Sequence, residues 1–232
     1  MDELPGEPRI ADSLIDLIGD TPLLHLGRVA GDLECRVVAK LEMLNPGGSV
    51  KDRPALAMIE AAERSGELGP GGTIIEPTSG NTGVGLAIVA AERGYKCIFV
   101  VTDKVAPEKI HLLEAYGARV VVCPVAVDPA DPRSYYSVAE RLVTETPGAF
   151  RPNQYGNPEN PRAHELSTGP EIWKQTAGRI THFVAGIGTS GTIMGTGRRL
   201  KEHDRRIQVI AVEPDEALHG LEGLKHMASS IV

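Results

Sequence analysis

A chain of 232 residues, 41% hydrophobic and 24% charged, has the composition of a soluble globular protein and can bury one large core or two small ones. Its net charge of −7, with no basic run and no basic–aromatic interleaving, argues against a nucleic-acid surface. No apolar stretch approaches the roughly 20 residues of a membrane-spanning helix, and the acidic, proline-containing start over 1–8 is unlike a signal peptide.

In chain order, short runs rich in valine and isoleucine predict buried parallel strands at 36–41, 73–76, 96–101, 119–123, 181–185 and 208–212. Helical patterns fall between and after them, at 54–65, 82–93, 107–116, 134–145, 161–176 and 192–203. Gly94 and Gly117 stand where two of these helices should end. Such alternation implies an α/β fold with mainly parallel sheet. The proline-rich stretch 124–133 should run over the surface, and the Pro-, Gly- and Asn-rich stretch 147–161 should join two lobes. Cys35, Cys97 and Cys123 lie in apolar, strand-like runs without metal spacing and read as reduced core residues of a cytoplasmic protein. The seven histidines form no ligand spacing, so no metal is expected.

Before the first of these helices lies Asn45-Pro46-Gly47-Gly48-Ser49-Val50-Lys51-Asp52-Arg53-Pro54. Proline is tolerated only in a helix's first turn, so the helix should begin close to Lys51, with Asp52 or Ser49 as N-cap. The positive end of the helix dipole should lower the pKa of a lysine there. A neutral lysine can attack a carbonyl, so this position suits a Schiff-base nucleophile. A solvated lysine at a helix start satisfies the same pattern.

In open α/β sheets ligands bind beyond the carboxyl ends of strands. Two loops in that setting are built from small hydrogen-bonding residues: Pro77-Thr78-Ser79-Gly80-Asn81-Thr82-Gly83 and Gly186-Ile187-Gly188-Thr189-Ser190-Gly191-Thr192. Each can cradle an anion, and each also serves as a tight connection. With Lys51 they suit a ligand with two anionic ends and a carbonyl-like centre. The pattern Gly186-x-Gly188-x-x-Gly191 also matches a dinucleotide fingerprint, with Glu213 roughly 20 residues on as a ribose-binding acid. That nicotinamide reading leaves Lys51 and the Thr78–Thr82 loop without a role.

Together with Ile18-Gly19-Asp20-Thr21-Pro22-Leu23, Asn153-Gln154-Tyr155-Gly156-Asn157-Pro158 and the run from Gly186 through Gly197, these segments carry a resemblance. From about residue 14 to 212 the chain resembles the fold-type II pyridoxal-phosphate enzymes, in the cysteine synthase and cystathionine β-synthase branch. The resemblance implies a tryptophan synthase β-like α/β fold of two lobes, each a mainly parallel twisted sheet flanked by helices. One lobe, over 1–44 and 155–232, would hold the cofactor phosphate; a smaller, mobile lobe over 45–154 would carry the substrate-carboxylate loop. It implies that Lys51 forms the internal aldimine with pyridoxal 5′-phosphate and that Asn81 meets the pyridine 3-hydroxyl. Thr78, Ser79, Gly80, Thr82 and Gln154 would hold the substrate carboxylate, and Gly188, Thr189, Ser190, Gly191 and Thr192 the cofactor phosphate. The residues say that both loops can bind anions; only the resemblance says which takes which.

The implied chemistry is β-replacement through an aminoacrylate, on O-acetylserine or O-phosphoserine with sulfide as the sulfur nucleophile, by a homodimer. Segment 135–142 looks like cystathionine β-synthases, which join serine and homocysteine, whereas 153–158 and 194–198 look closer to cysteine synthases, the favoured branch. A degenerate relative acting only as a binding or regulatory module would not need Lys51, Asn81 and Gln154 intact. Phosphoserine-using relatives have a basic residue in the stretch comparable to 221–227. Lys225, or its neighbour His226, is therefore a candidate contact for an anionic leaving group or substrate tail, although a solvated basic pair fits as well. Relatives normally continue beyond this chain's end with further strands and helices and a serine that meets the pyridine nitrogen. The resemblance therefore implies a truncated chain, whose exposed sheet surface should favour association or instability.

Overall fold

Ile74 and Ile75 are adjacent in sequence and both fully buried, so their strand is covered on both faces, as a parallel strand requires. In the computed structural model, which describes residues 10–229 apart from 32, 79, 129, 218 and 222, this strand lies inside a four-stranded parallel sheet. Its strands are β3 (Thr73–Pro77), β4 (Lys96–Thr102), β5 (Arg119–Cys123) and β6 (Ala149–Phe150), in the order β5-β4-β3-β6. Helices α2 (Asp52–Ser65), α3 (Asn81–Arg93), α4 (Pro107–Ala115) and α5 (Tyr135–Glu145) flank it. Alternation along β4 divides the core. Phe99 packs with Ala55, Ile59, Leu86, Val89 and Leu113, and Val100 packs with Cys123, Val138 and Ala139. Helices therefore cover both faces of the sheet.

Ahead of this unit lie β1 (Leu23–His25), the short helix α1 (Gly27–Ala30), β2 (Val38–Lys40) and 3-10 turns at Leu14–Leu17 and Glu42–Leu44. The strand expected at 36–41 is shorter and differs in kind. It pairs antiparallel with β1, His25 opposite Val38, and is only half-buried, as a two-stranded ribbon with one wet face allows.

The helix expected at 161–176 is two helices, α6 (Glu159–Leu166) and α7 (Thr168–Gln175). The chain breaks at Ser167 (φ −123°, ψ −69°), so Pro170 falls in the first turn of α7, where its missing N–H costs no hydrogen bond. The connection expected over 147–161 contains β6, whose partner is β3.

After α7, β7 (His182–Gly186) and β8 (Gln208–Val212) pair in parallel around α8 (Gly191–His203), and a last 3-10 turn spans Met227–Ser229. Ile172, Leu200 and Ile207 form their core with Trp173, Ile180 and Phe183. Val184, Ile210 and Val212 stand exposed on this small sheet. Helix α6 packs against both α2 and α8. At Gly195 a Cβ would lie 1.9 Å from the Pro161 carbonyl oxygen, so the α6–α8 approach is backbone to backbone and only glycine fits.

A buried arginine ties these parts together. Arg53, 4% exposed in the first turn of α2, makes two forks. Its Nε and Nη2 donate to Glu42 at 2.8 Å each, and its Nη1 and Nη2 donate to Glu171 of α7 at 2.5 and 2.8 Å. Lys40 of β2 donates to Glu171 as well. Burial raises the Glu171 pKa, but the bonds from Arg53 and Lys40 outweigh it and hold the carboxyl at about 2.

Replacing Arg53 by Met strands two carboxylates and should cost roughly 3–5 kcal/mol in urea unfolding at neutral pH; a loss below about 1 kcal/mol would show that the forks hold little. Because the folded pKa of Glu171 lies below its ordinary 4.5, its contribution is complete above about pH 4.5 and is lost as pH falls towards 2. Glu171→Gln should accordingly flatten the acid limb of the stability profile in that window.

Candidate active site

Lys51 is itself the N-cap of α2, correcting the expectation of Ser49 or Asp52. Both neighbours serve the loop instead. Ser49 Oγ accepts the Lys51 N–H at 3.1 Å, and the buried Asp52 carboxylate accepts the Gly47 N–H at 2.5 Å, which folds the glycine turn back on the helix. Pro54 occupies the first turn as expected. The Lys51 amine has no hydrogen-bond or ion-pair partner among the described residues, and burial holds its pKa below the ordinary 10.5. The lowering expected from the helix dipole has desolvation as its cause. Lys51 borders a cavity of about 1610 Å³.

The first loop reaches the same cavity. Helix α3 begins at Asn81 with Gly80 as N-cap, one residue before the expected start, and Thr78, Gly80, Asn81 and Thr82 all line the wall. Ser79 lies outside the described residues. Gln154, between β6 and α6, closes this corner: Thr82 Oγ1 donates to its Oε1 at 2.7 Å, which leaves both amide hydrogens for another acceptor. The Gln154 backbone is held by Glu76, a residue that motif reading passed over. The Glu76 carboxylate accepts the N–H groups of Asn153 at 2.9 Å and Gln154 at 3.2 Å. Burial raises its pKa while those two bonds oppose the rise. The available signal was a carboxylate inside an otherwise apolar, fully covered strand.

Across the cavity Gly188, Thr189, Ser190, Gly191 and Thr192 connect β7 to α8. Their backbone N–H groups meet no acceptor among the described residues, and they lie at the N-terminus of a 13-residue helix. Ser190 holds φ 64° to make the turn. A Cβ at Gly191 would lie 2.0 Å from Asn160 Oδ1, so the loop is pressed against α6. Thr192 Oγ1 lies 3.3 Å from His164 Nε2, whose Nδ1 meets Thr168 Oγ1 at 2.9 Å. Burial, aided by the charges of Lys51 and Arg53, pushes His164 down to about 3, so its imidazole is neutral. Sequence reading missed His164 as well, since its partners stand 4 and 28 residues away.

Lys225 lines this cavity too, its ammonium 5.4 Å from the centre of the Tyr155 ring and its N–H bonded to the Ile187 carbonyl at 2.8 Å. Cys35, expected in the core, is exposed at the cavity edge because β2 starts only at Val38. Glu213 accepts the Met227 N–H at 2.7 Å and takes no part in the cavity wall, so the acid required by the dinucleotide reading is engaged elsewhere.

The electrostatics suit anions. Among the described residues, Arg36, Lys40, Lys51, Arg179 and Lys225 line the cavity against one carboxylate, Glu42, itself held by Arg53. Free backbone N–H groups, a glycine-lined cradle, unspent amide hydrogens and an unpartnered amine fit a phosphate, a carboxylate and an aldehyde together.

Residues 14–230 match the family described as pyridoxal-phosphate dependent enzyme. A cystathionine beta-synthase of Apis mellifera is 50% identical over 208 residues, which cover 89% of this chain and 41% of that protein. A cysteine synthase of Staphylococcus aureus is 47% identical over 205 residues, covering 88% and 65%. The chain thus spans less than two thirds of the length of these curated relatives. The crystal structure of a hydrogen sulfide-producing enzyme from Fusobacterium nucleatum superposes with a TM-score of 0.86 at 36% identity, covering 94% of this chain and 73% of the other. The parallel α/β architecture, the lysine-bearing cavity and the match over nearly the whole chain agree: this protein belongs to the pyridoxal-phosphate dependent enzymes.

Proposed function

We propose that the chain catalyses β-replacement on a serine-derived amino acid, O-acetylserine or O-phosphoserine, with sulfide as nucleophile, to give L-cysteine. The observation that carries this reading is the unpartnered, desolvated amine of Lys51 lining the same cavity as two loops with unspent hydrogen-bond donors. In this reading Lys51, Asn81 and residues Gly188, Thr189, Ser190, Gly191 and Thr192 hold the cofactor: the amine at its aldehyde carbon, the asparagine at its ring hydroxyl, the loop at its phosphate. When bound, the cofactor supplies an electron sink for charge developing at the substrate's α-carbon.

The chain's own residues do the rest. Thr78, Ser79, Gly80, Thr82 and Gln154 grip the substrate carboxylate and fix the α-hydrogen towards Lys51. Burial favours the neutral form of the Lys51 amine, which can then take that proton and later return it. We further propose a smaller lobe over 45–154 that closes on a larger one over 1–44 and 155–232, excluding water from the reaction. The four parallel strands between 73 and 150, a unit with its own core, support that division. Lys225 is proposed to meet the leaving group or substrate tail. A cytoplasmic homodimer completes the reading, with Met43, Leu44, Leu166 and Met194 as exposed apolar side chains available to an interface.

Synthesis of cystathionine from serine and homocysteine is the second reading, favoured by the 50% identity to the Apis mellifera relative. Offering sulfide and homocysteine in competition separates the two, and exclusive use of homocysteine would overturn the first.

Borohydride reduction in the presence of pyridoxal 5′-phosphate should add the pyridoxyl mass to the peptide containing Lys51. Lys51→Ala should lose both that mass and at least about 1000-fold in turnover. Label on another lysine would refute the role given to Lys51. Gln154→Leu should raise KM for the amino acid about tenfold, the equivalent of one lost hydrogen bond to a charged group, with a smaller change in kcat. Lys225→Ala should shift preference from O-phosphoserine towards O-acetylserine; an unchanged ratio would remove Lys225 from the site.

A further inference from the structure

Asn160, near the start of α6 and 3% exposed, stands between the two loops, and nothing in the chemistry above uses it. Its two Nδ2 hydrogens go to different places. One reaches the carbonyl oxygen of Gln154 at 2.8 Å, the other Thr189 Oγ1 at 2.9 Å. An amide nitrogen can only donate, so Thr189 must accept, and the hydrogen of its own hydroxyl is left for another acceptor. A hydroxyl fixed in that sense, on the cavity wall, has its donor hydrogen available to an anion in the cavity. The Gln154 backbone is gripped from both ends, its N–H by Glu76 at 3.2 Å and its C=O by Asn160, while its side chain meets Thr82 at 2.7 Å. Helix α6 does not need this amide, because Asn157 Oδ1 already accepts the Glu159 N–H at 3.0 Å.

We propose that Asn160 is a positioning residue that couples the two anion sites. It rests on the loop assignment proposed above. A carboxylate drawing in the Gln154 side chain moves the Gln154 carbonyl; the amide of Asn160 follows and resets the Thr189 hydroxyl across the cavity. The link is made of single, direct hydrogen bonds from the buried Asn160 amide to two partly buried partners. By reciprocity, an occupied phosphate loop presets the carboxylate corner, so each ligand tightens the other's site by the same factor.

The test uses the whole chain loaded with pyridoxal 5′-phosphate and reads the ³¹P resonance of the bound phosphate beside the visible spectrum, with and without L-serine. In the parent protein L-serine should shift the ³¹P resonance. In Asn160→Ala, L-serine should still change the visible spectrum, at about tenfold higher concentration, while the ³¹P response is lost. Thr189→Val, which removes the other end of the bond, should abolish the same response and serves if Asn160→Ala fails to fold by near-ultraviolet circular dichroism. A folded Asn160→Ala protein, or failing that a Thr189→Val protein, that keeps the full ³¹P shift overturns the coupling. So does a parent protein that binds both ligands without a shift. A parent that takes up no cofactor overturns the loop assignment itself, and the coupling with it.

Discussion

One guanidinium holds two carboxylates at the beginning of α2, and the candidate site hangs on it. Arg53 sits two residues after Lys51, so whatever fixes the first turn of that helix fixes the direction of the lysine. The forks reach Glu42 on the side of the first sheet and Glu171 on α7. Burying such a cluster carries a desolvation penalty that the short bonds offset, so its worth lies as much in a unique geometry as in net stability. Three separate stretches of chain are thereby brought to one buried point beside the helix turn that carries the Lys51 amine.

In front of that amine the logic reverses. Around Arg53 the charges are paired with one another; on the cavity wall donors are left unsatisfied. The N–H groups of the 188–192 loop, the amide hydrogens of Gln154 and the hydroxyl hydrogen of Thr189 all lack protein acceptors among the described residues. In a core such omissions are costly. At the edge of a large cavity they stay open to the oxygens of a ligand. The chain as a whole is acidic, with net charge −7, yet the cavity lining is predominantly basic. Charge is therefore segregated, and the local field favours anions that the bulk charge would repel.

How much of this was legible in the sequence depended on distance along the chain. Lys51 before Pro54, and two glycine-bearing loops each between a strand and a helix, are local patterns. The alternation from 73 to 123 is local too, and there the strands fall within a residue of their expected bounds. The misreadings arose where short-range rules compete with partners elsewhere. Ser49 and Asp52 have good capping chemistry, but the loop uses both. The apolar run at 36–41 reads as a parallel strand, but its neighbour among the described residues is β1, running the other way. Glu76, Asn160 and His164 were invisible as site residues for a third reason. Glu76 acts 77 and 78 residues away and Asn160 acts 29 residues away, across elements whose approach no spacing rule describes.

The three thiols end up in contrasting surroundings. Burial pushes Cys97 up to about 12 and raises Cys123, so neither offers appreciable thiolate near neutrality, whereas Cys35 is open to solvent at the cavity edge. A thiol-selective dye added to the folded protein would thus attach at one place without any engineered cysteine. That place lines the cavity, which makes the native chain its own fluorescent gauge of what the cavity holds.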